Sequence, residues 1–153
     1  MRAPTTDEMV AELRRAGLRL TPQRLALLEA FAGDKTHPKA QDLFERLKPK
    51  FPSMSFATVY KTLDALAQAG LTRTVRIGQA ARFDPNTAPH HHLVCDACGE
   101  VFDVPVRSLN AGRAATRRIA RVAPGFSIRA VERIYRGTCP RCAPQRTIKE
   151  RHR

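Results

Sequence analysis

His90-His91-His92 and the pair Cys95 and Cys98 fall within fourteen positions that end on Asp103. This density of imidazole, thiolate and carboxylate suits metal coordination. Cys95-Asp96-Ala97-Cys98-Gly99 is a knuckle in which two thiolates and nearby backbone N–H groups converge on one ion. Cys139-Pro140-Arg141-Cys142 repeats the unit, and these four are all the cysteines of the chain. Four thiolates hold zinc tetrahedrally, with no open position and no redox chemistry, so Cys95, Cys98, Cys139 and Cys142 read as a structural Zn2+ site. Two disulfides of a secreted protein, or a thiol redox switch, would use the same residues, but no apolar signal region precedes them and zinc masks thiolates.

A second set of donors comprises His37, Asp84, His90, His91, His92 and Asp103, drawn from both halves of the chain. On a strand, alternate residues share a face, so His90 and His92 point one way and His91 the other. His90 and His92 can form one site with Asp103 from a neighbouring strand. Taken alone, His37 reads as a surface or capping residue and Asp84 as a turn residue before Pro85.

Elements must position these groups. Thr5-x-x-Glu8 resembles a capping box for a helix running to Ala16 before Gly17, with Met9, Val10 and Leu13 on one face and Arg14, Arg15 and Arg19 clustered at its end. Thr21-Pro22 opens a second helix carrying Leu25, Leu28 and Phe31 inward. A third spans about Lys39 to Lys48 and stops at Pro49. Ser55 caps a fourth, Phe56 to Ala69, with Val59, Leu63 and Leu66 inward and Ser55, Thr58, Tyr60, Lys61 and Asp64 outward, where they could reach base edges or phosphates. Leu71–Ile77, a Gly78-Gln79 turn and Ala81–Asp84 make a hairpin. Short helices followed by a hairpin is a winged helix-turn-helix order; the bland alternative is a small helical domain with a solvated outer face.

Beyond a Pro85–Pro89 linker, the second half predicts strands at His91–Cys95, Val101–Val104 and Phe126–Tyr135, with a helix from Ser108 to about Val122. The expected fold class is α+β: a winged-helix domain at 1–84, a hinge linker at 85–90, a small α/β domain at 91–144 with its four-cysteine zinc site, and a basic tail at 145–153. A formal net charge of +13 favours a polyanionic partner. An arginine-rich proteome would produce the same excess, and charge does not say which half meets nucleic acid. No apolar run approaches the roughly 20 residues that cross a bilayer, so the expectation is a cytoplasmic protein with no membrane partner.

Several stretches together resemble the ferric uptake regulator (Fur) family of metal-dependent repressors. They are Leu20-Thr21-Pro22-Gln23-Arg24, Thr36-His37-Pro38, the run from Phe51 to Leu63 containing Ala57-Thr58-Val59-Tyr60-Lys61, Arg82-Phe83-Asp84, the His90–Gly99 stretch and Cys139-Pro140-Arg141-Cys142. The match runs from about residue 8 to residue 143 in the family's order and spacings. The resemblance implies a homodimer on double-stranded operator DNA, with the second domain dimerising. It also implies an interdomain regulatory metal site of His37, Asp84, His90, His92 and Asp103. By the same mapping the helix after Ser55 enters the major groove, with Tyr60 near a thymine methyl or phosphate, while Arg14 and Arg15 approach the minor groove or backbone.

Three imidazoles and two carboxylates form a borderline-to-hard set that suits Fe2+ or Mn2+. Asp103, where iron sensors of the family commonly have Glu, and the lack of histidine between Ser127 and Arg136 resemble its peroxide-sensing branch, in which iron-catalysed oxidation of a ligating histidine lifts repression. The alternative is a manganese- or iron-responsive uptake regulator. Arginines on the 108–122 helix depart from the family's more acidic helix. A hydrolytic enzyme would need a general base beside an open metal position, and nothing but His91 is spare, so the chain reads as no enzyme. A constitutive zinc-stapled DNA-binding module would bind DNA equally with and without added metal.

Overall fold

The computed structural model describes residues 3–78, 80–105, 121–127, 131 and 133–143. The chain divides into two compact units, Met1–Pro89 and His90–Arg153.

In the first unit, α1 (Thr6–Arg15) begins at the expected capping box: Thr5 accepts the Glu8 N–H, and the Glu8 carboxylate accepts the Thr5 N–H at 2.7 Å. Acids in its first turn and Arg14 and Arg15 in its last complement the helix dipole. Thr21 caps α2 (Pro22–Ala32), whose proline occupies the first turn, where no N–H is missed. Leu27, Leu28 and Phe31 are the buried residues of α2, so Leu27 replaces the expected Leu25, which stays half-buried. Leu25 and Leu28 share a face, but the apolar arc of this helix is wide enough that packing, not spacing, selects its centre.

The third helix, α3, covers Ala40–Leu47, and α4 covers Phe56–Gln68 with Ser55 as N-cap. Val59, Leu63 and Leu66 of α4 are fully buried, as their spacing predicts, and join Met9, Leu13, Leu27, Leu28, Phe31, Leu43 and Met54 in one core. Thr62 is also buried; its hydroxyl donates to the Thr58 carbonyl at 2.7 Å, which satisfies it inside the apolar stripe. The hairpin pairs β1 (Arg73–Ile77) with β2 (Ala80–Asp84) in antiparallel register, and Phe83 drops into the core. The N–H of Phe83 donates to the Pro38 carbonyl at 2.9 Å, tying the hairpin to the segment before α3.

The second unit is a three-stranded sheet in the order β4-β3-β5, with β3 at His90–Cys95, β4 at Val101–Pro105 and β5 at Ile134–Gly137. Strand β3 runs antiparallel to β4 and parallel to β5. His90, the last residue of the expected linker, opens β3. The third strand is shorter and later than the expected Phe126–Tyr135: Phe126 and Ser127 lie outside any strand. Among the described residues of this stretch, Ile134–Gly137 finds a partner edge, on His92–Cys95, and apolar alternation alone does not extend it. Of the predicted 108–122 helix, Arg121 and Val122 are described and are helical; the rest, like the tail at 145–153, lies outside the described residues. Among the described residues no helix is long and apolar enough to cross a membrane.

Candidate metal centres and nucleic-acid interface

The four cysteines are free thiols whose sulfurs lie within 4.8 Å of one another. Each knuckle is a backbone turn: the Gly99 N–H donates to the Cys95 carbonyl at 2.8 Å, and the Cys142 and Ala143 N–H groups donate to the Cys139 carbonyl at 2.9 and 2.8 Å. Gly99 takes a φ of +72°, the left-handed geometry that closes the first knuckle. The Cys98 and Cys139 sulfurs are 3.8 Å apart. A tetrahedron with metal–sulfur bonds of about 2.3 Å has edges of about 3.8 Å, so the set fits structural zinc.

Electrostatics point the same way. The Cys139 N–H donates to the Cys95 sulfur at 3.3 Å and, with further backbone donors, holds the Cys95 pKa down to about 6. The neighbouring Cys139 and Cys98 side chains, together with burial, push Cys142 up to about 12. Four thiols this close cannot all ionise without a cation among them, and zinc supplies it. Two ion pairs brace the knuckles from outside: Arg136 Nε to Asp96 at 2.9 Å, and Arg141 to Glu100.

The imidazole and carboxylate donors read as regulatory form a partial set in each unit. In the first, His37 Nε2 and Asp84 Oδ1 stand 3.7 Å apart and both residues are buried. Asp84 ends β2, where its carbonyl accepts the Thr72 hydroxyl at 2.7 Å and its Oδ1 accepts the Asn86 N–H at 2.8 Å. His37 has a φ of +54°. That left-handed backbone costs a non-glycine residue about 1–2 kcal/mol, and a following proline disfavours it further. Such strain is a mark of functional positions, and spacing gives no sign of it.

In the second unit, His90 and His92 share the buried face of β3 while His91 sits on the other, its ring 6.1 Å from that of Tyr135. Register places Asp103 of β4 opposite His92. His90 Nε2 is 3.0 Å from His92 Nε2 and 3.5 Å from Asp103 Oδ1. Two imidazole nitrogens at right angles on one ion, with bonds of about 2.1 Å, stand about 3.0 Å apart, so this pair has the spacing of two ligands to one ion. Imidazoles and carboxylates without a thiolate fit a regulatory Fe2+ or Mn2+.

The residues read as DNA contacts lie on the surface of the first unit in two groups. Arg14 and Arg15 end α1 and Arg19 follows it, all three exposed; Arg15 pairs with Glu12, and the Arg19 carbonyl accepts from Arg24. On α4, Tyr60 and Lys61 are exposed and Thr58 half-buried. The Ser55 hydroxyl accepts the Thr58 N–H at 3.2 Å and lies 3.0 Å from the Thr58 hydroxyl, so both serve the cap. Phe56, beside them on α4, is 43% exposed, with its ring between those of Phe44 and Tyr60.

A winged helix, a sheet unit with a four-thiol site and a thiolate-free set of imidazole and carboxylate donors are the features of a metal-responsive transcriptional regulator. Residues 15–123 match the sequence model of the Ferric uptake regulator family, and the chain belongs to that family. It is 34% identical over 137 residues to the peroxide-responsive repressor PerR of Staphylococcus aureus (strain Mu50 / ATCC 700699), across 89% of this chain and 90% of that one. Its fold matches the crystal structure of the Vibrio cholerae ferric uptake regulator with a TM-score of 0.65 and 27% identity, covering 84% of this chain and 98% of the other. A zinc uptake regulator complexed with zinc and DNA matches with a TM-score of 0.60 and 25% identity, over 91% and 95%.

Proposed function

We propose that this chain is a dimeric, metal-dependent repressor that binds operator DNA when Fe2+ or Mn2+ is held jointly by His37, Asp84, His90, His92 and Asp103, and that it senses hydrogen peroxide. The observation that carries the reading is the likeness to a peroxide-responsive repressor along 89% of the chain, in a protein whose regulatory donors are imidazole and carboxylate alone. One unit offers two of these donors and the other three, so an ion held by all five is bound more tightly than either set alone would hold it. A shared ion favours the arrangement that joins them, by as much as its affinity for the two arrangements differs.

In this reading residues 1–84 are the DNA-binding domain, with α4 in the major groove. Tyr60 and Lys61 reach bases and phosphates, Ser55 and Thr58 fix the helix start, and Arg14, Arg15 and Arg19 meet the backbone or minor groove. Residues 91–144 dimerise, joined by the 85–90 hinge. Leu93 pairs in register with Phe102 and Tyr135 on one sheet face, and their exposures of 41%, 40% and 44% leave an apolar surface that a second copy would cover. The zinc-staple cysteines, kept as thiols, suit the reducing cytoplasm.

When bound, Fe2+ supplies the reducing chemistry that cleaves hydrogen peroxide, one oxygen leaving as water and the other joining an imidazole carbon. In this reading the imidazoles that take the oxygen are two of the proposed donors, His37 and His90. An oxidised imidazole is a poorer ligand, so the units are released and repression ends. Peptide mass spectrometry of the zinc-containing protein, loaded with Fe2+ or Mn2+ and then given low peroxide, tests this. One added oxygen on His37 or His90, with iron alone, is the expected result. No histidine oxidation with DNA binding still metal-dependent would replace it with a manganese- or iron-responsive regulator.

A further inference from the structure

The strained His37 turn is bound directly to the hairpin. The Arg82 Nη1 donates to the His37 carbonyl at 3.2 Å, and one residue on, the Phe83 N–H donates to the Pro38 carbonyl at 2.9 Å. Arg82 and Phe83 are consecutive residues of β2, paired with Val75 and Thr74 of β1. Phe83 is anchored in the core, while Arg82 is only half-buried. The N-terminal side of the turn is fastened separately: the Asp34 carboxylate accepts the Thr36 N–H at 2.8 Å and pairs with Arg46 at 2.8 Å. The turn is thus held at both ends, and its hairpin-side fastening is the backbone of the very residue that carries the imidazole.

We propose that Arg82 is a positioning residue that couples occupancy of His37 to the hairpin. Its guanidinium takes the His37 carbonyl that a left-handed φ turns toward β2, and so sets the direction of the imidazole on the other side of the same α-carbon. An ion that restrains the imidazole restrains the peptide unit, and through Arg82 the strand. Asp84 lies two residues further along that strand, so both donors of the first unit act on one hairpin. A charged donor on a backbone carbonyl is among the stronger single contacts available for this. The inference rests on the proposed metal-dependent DNA binding for its consequence, but the coupling can be read without DNA.

The test compares wild type, Arg82→Met and Arg82→Lys as full-length, zinc-containing protein with Mn2+ as the probe ion. Amide hydrogen exchange is followed over Arg73–Asp84 with and without Mn2+, Mn2+ binding is titrated by electron paramagnetic resonance, and affinity is measured for an operator recovered by in vitro selection. Mn2+ is expected to slow exchange across the wild-type hairpin. Arg82→Met should still fold and bind Mn2+, melting somewhat below wild type for the lost hydrogen bond, while losing about tenfold of the metal-dependent slowing and of the metal stimulation of DNA binding. Arg82→Lys, which keeps a cationic donor, should recover part of both. Equal metal-dependent slowing in wild type and Arg82→Met, or none in wild type, would overturn the coupling. So would loss of Mn2+ binding and of thermal stability in both variants, which would make Arg82 an ordinary structural contact. Hairpin slowing without any metal effect on DNA affinity would instead sustain the coupling and refute the proposed function.

Discussion

At the scale of single residues, His37 carries the largest conflict between local preference and observed structure. Its φ of +54° suits glycine, yet an imidazole stands there beside Asp84. Stability and function therefore pull apart at this position. In the metal-free protein His37→Gly should be more stable than His37→Ala by roughly 1 kcal/mol, because glycine adopts a left-handed backbone without the Cβ penalty. Denaturant unfolding of the two variants checks this. On the proposed function both should keep zinc and the dimer and lose metal-stimulated DNA binding; unchanged stimulation in His37→Ala would remove this histidine from the proposed regulatory donors.

At the scale of elements, α4 is organised by two independent devices. A side-chain cap starts it, and a fully buried stripe of Val59, Leu63 and Leu66 orients it, which leaves Phe56, Tyr60 and Lys61 outside. Ser55→Ala removes the side-chain acceptor of the Thr58 N–H, which keeps only its 3.1 Å contact to the Ser55 carbonyl, and should cost about 1 kcal/mol. Leu63→Ala opens a cavity in the shared core and should cost about 2–5 kcal/mol. Urea denaturation should rank them in that order. A Ser55→Ala cost as large as the Leu63→Ala cost would mean that Ser55 does more than cap.

At the scale of the whole molecule, the two units are built by different physics. The first closes a continuous apolar core from four helices and the hairpin residue Phe83. Among its described residues the second buries fewer side chains, Val94, Val101, Cys95, Cys139, His90 and His92, so the four-thiol staple carries a large share of the stability there. Structural zinc in small domains contributes about 10–16 kcal/mol of apparent free energy, comparable to a domain's entire stability of about 5–15 kcal/mol. Zinc removal by a strong chelator should therefore unfold the three-stranded sheet and dissociate the proposed dimer while the helical signal of the first unit survives. Circular dichroism with sedimentation should show both; a dimer that persists without zinc would contradict the staple's role.

Features encoded by neighbours in sequence were legible in it. The capping box at Thr5, the Thr21-Pro22 and Ser55 helix starts, the inner stripe of α4 and the two knuckles each need only residues a few positions apart, and local backbone geometry then follows from residue type. Strand alternation likewise separated His90 and His92 from His91. What the chain could not announce was set by contacts between distant segments. The grouping of Asp103 with His90 and His92 was open to the sequence, but the register that sets Asp103 opposite His92 was not, and the start of β5 depended on which residues found an edge on β3 rather than on apolar alternation. The left-handed turn at His37 and its fastening to Arg82, 45 positions away, came from tertiary structure alone, because a strained backbone persists only where surrounding hydrogen bonds and packing outweigh its local cost.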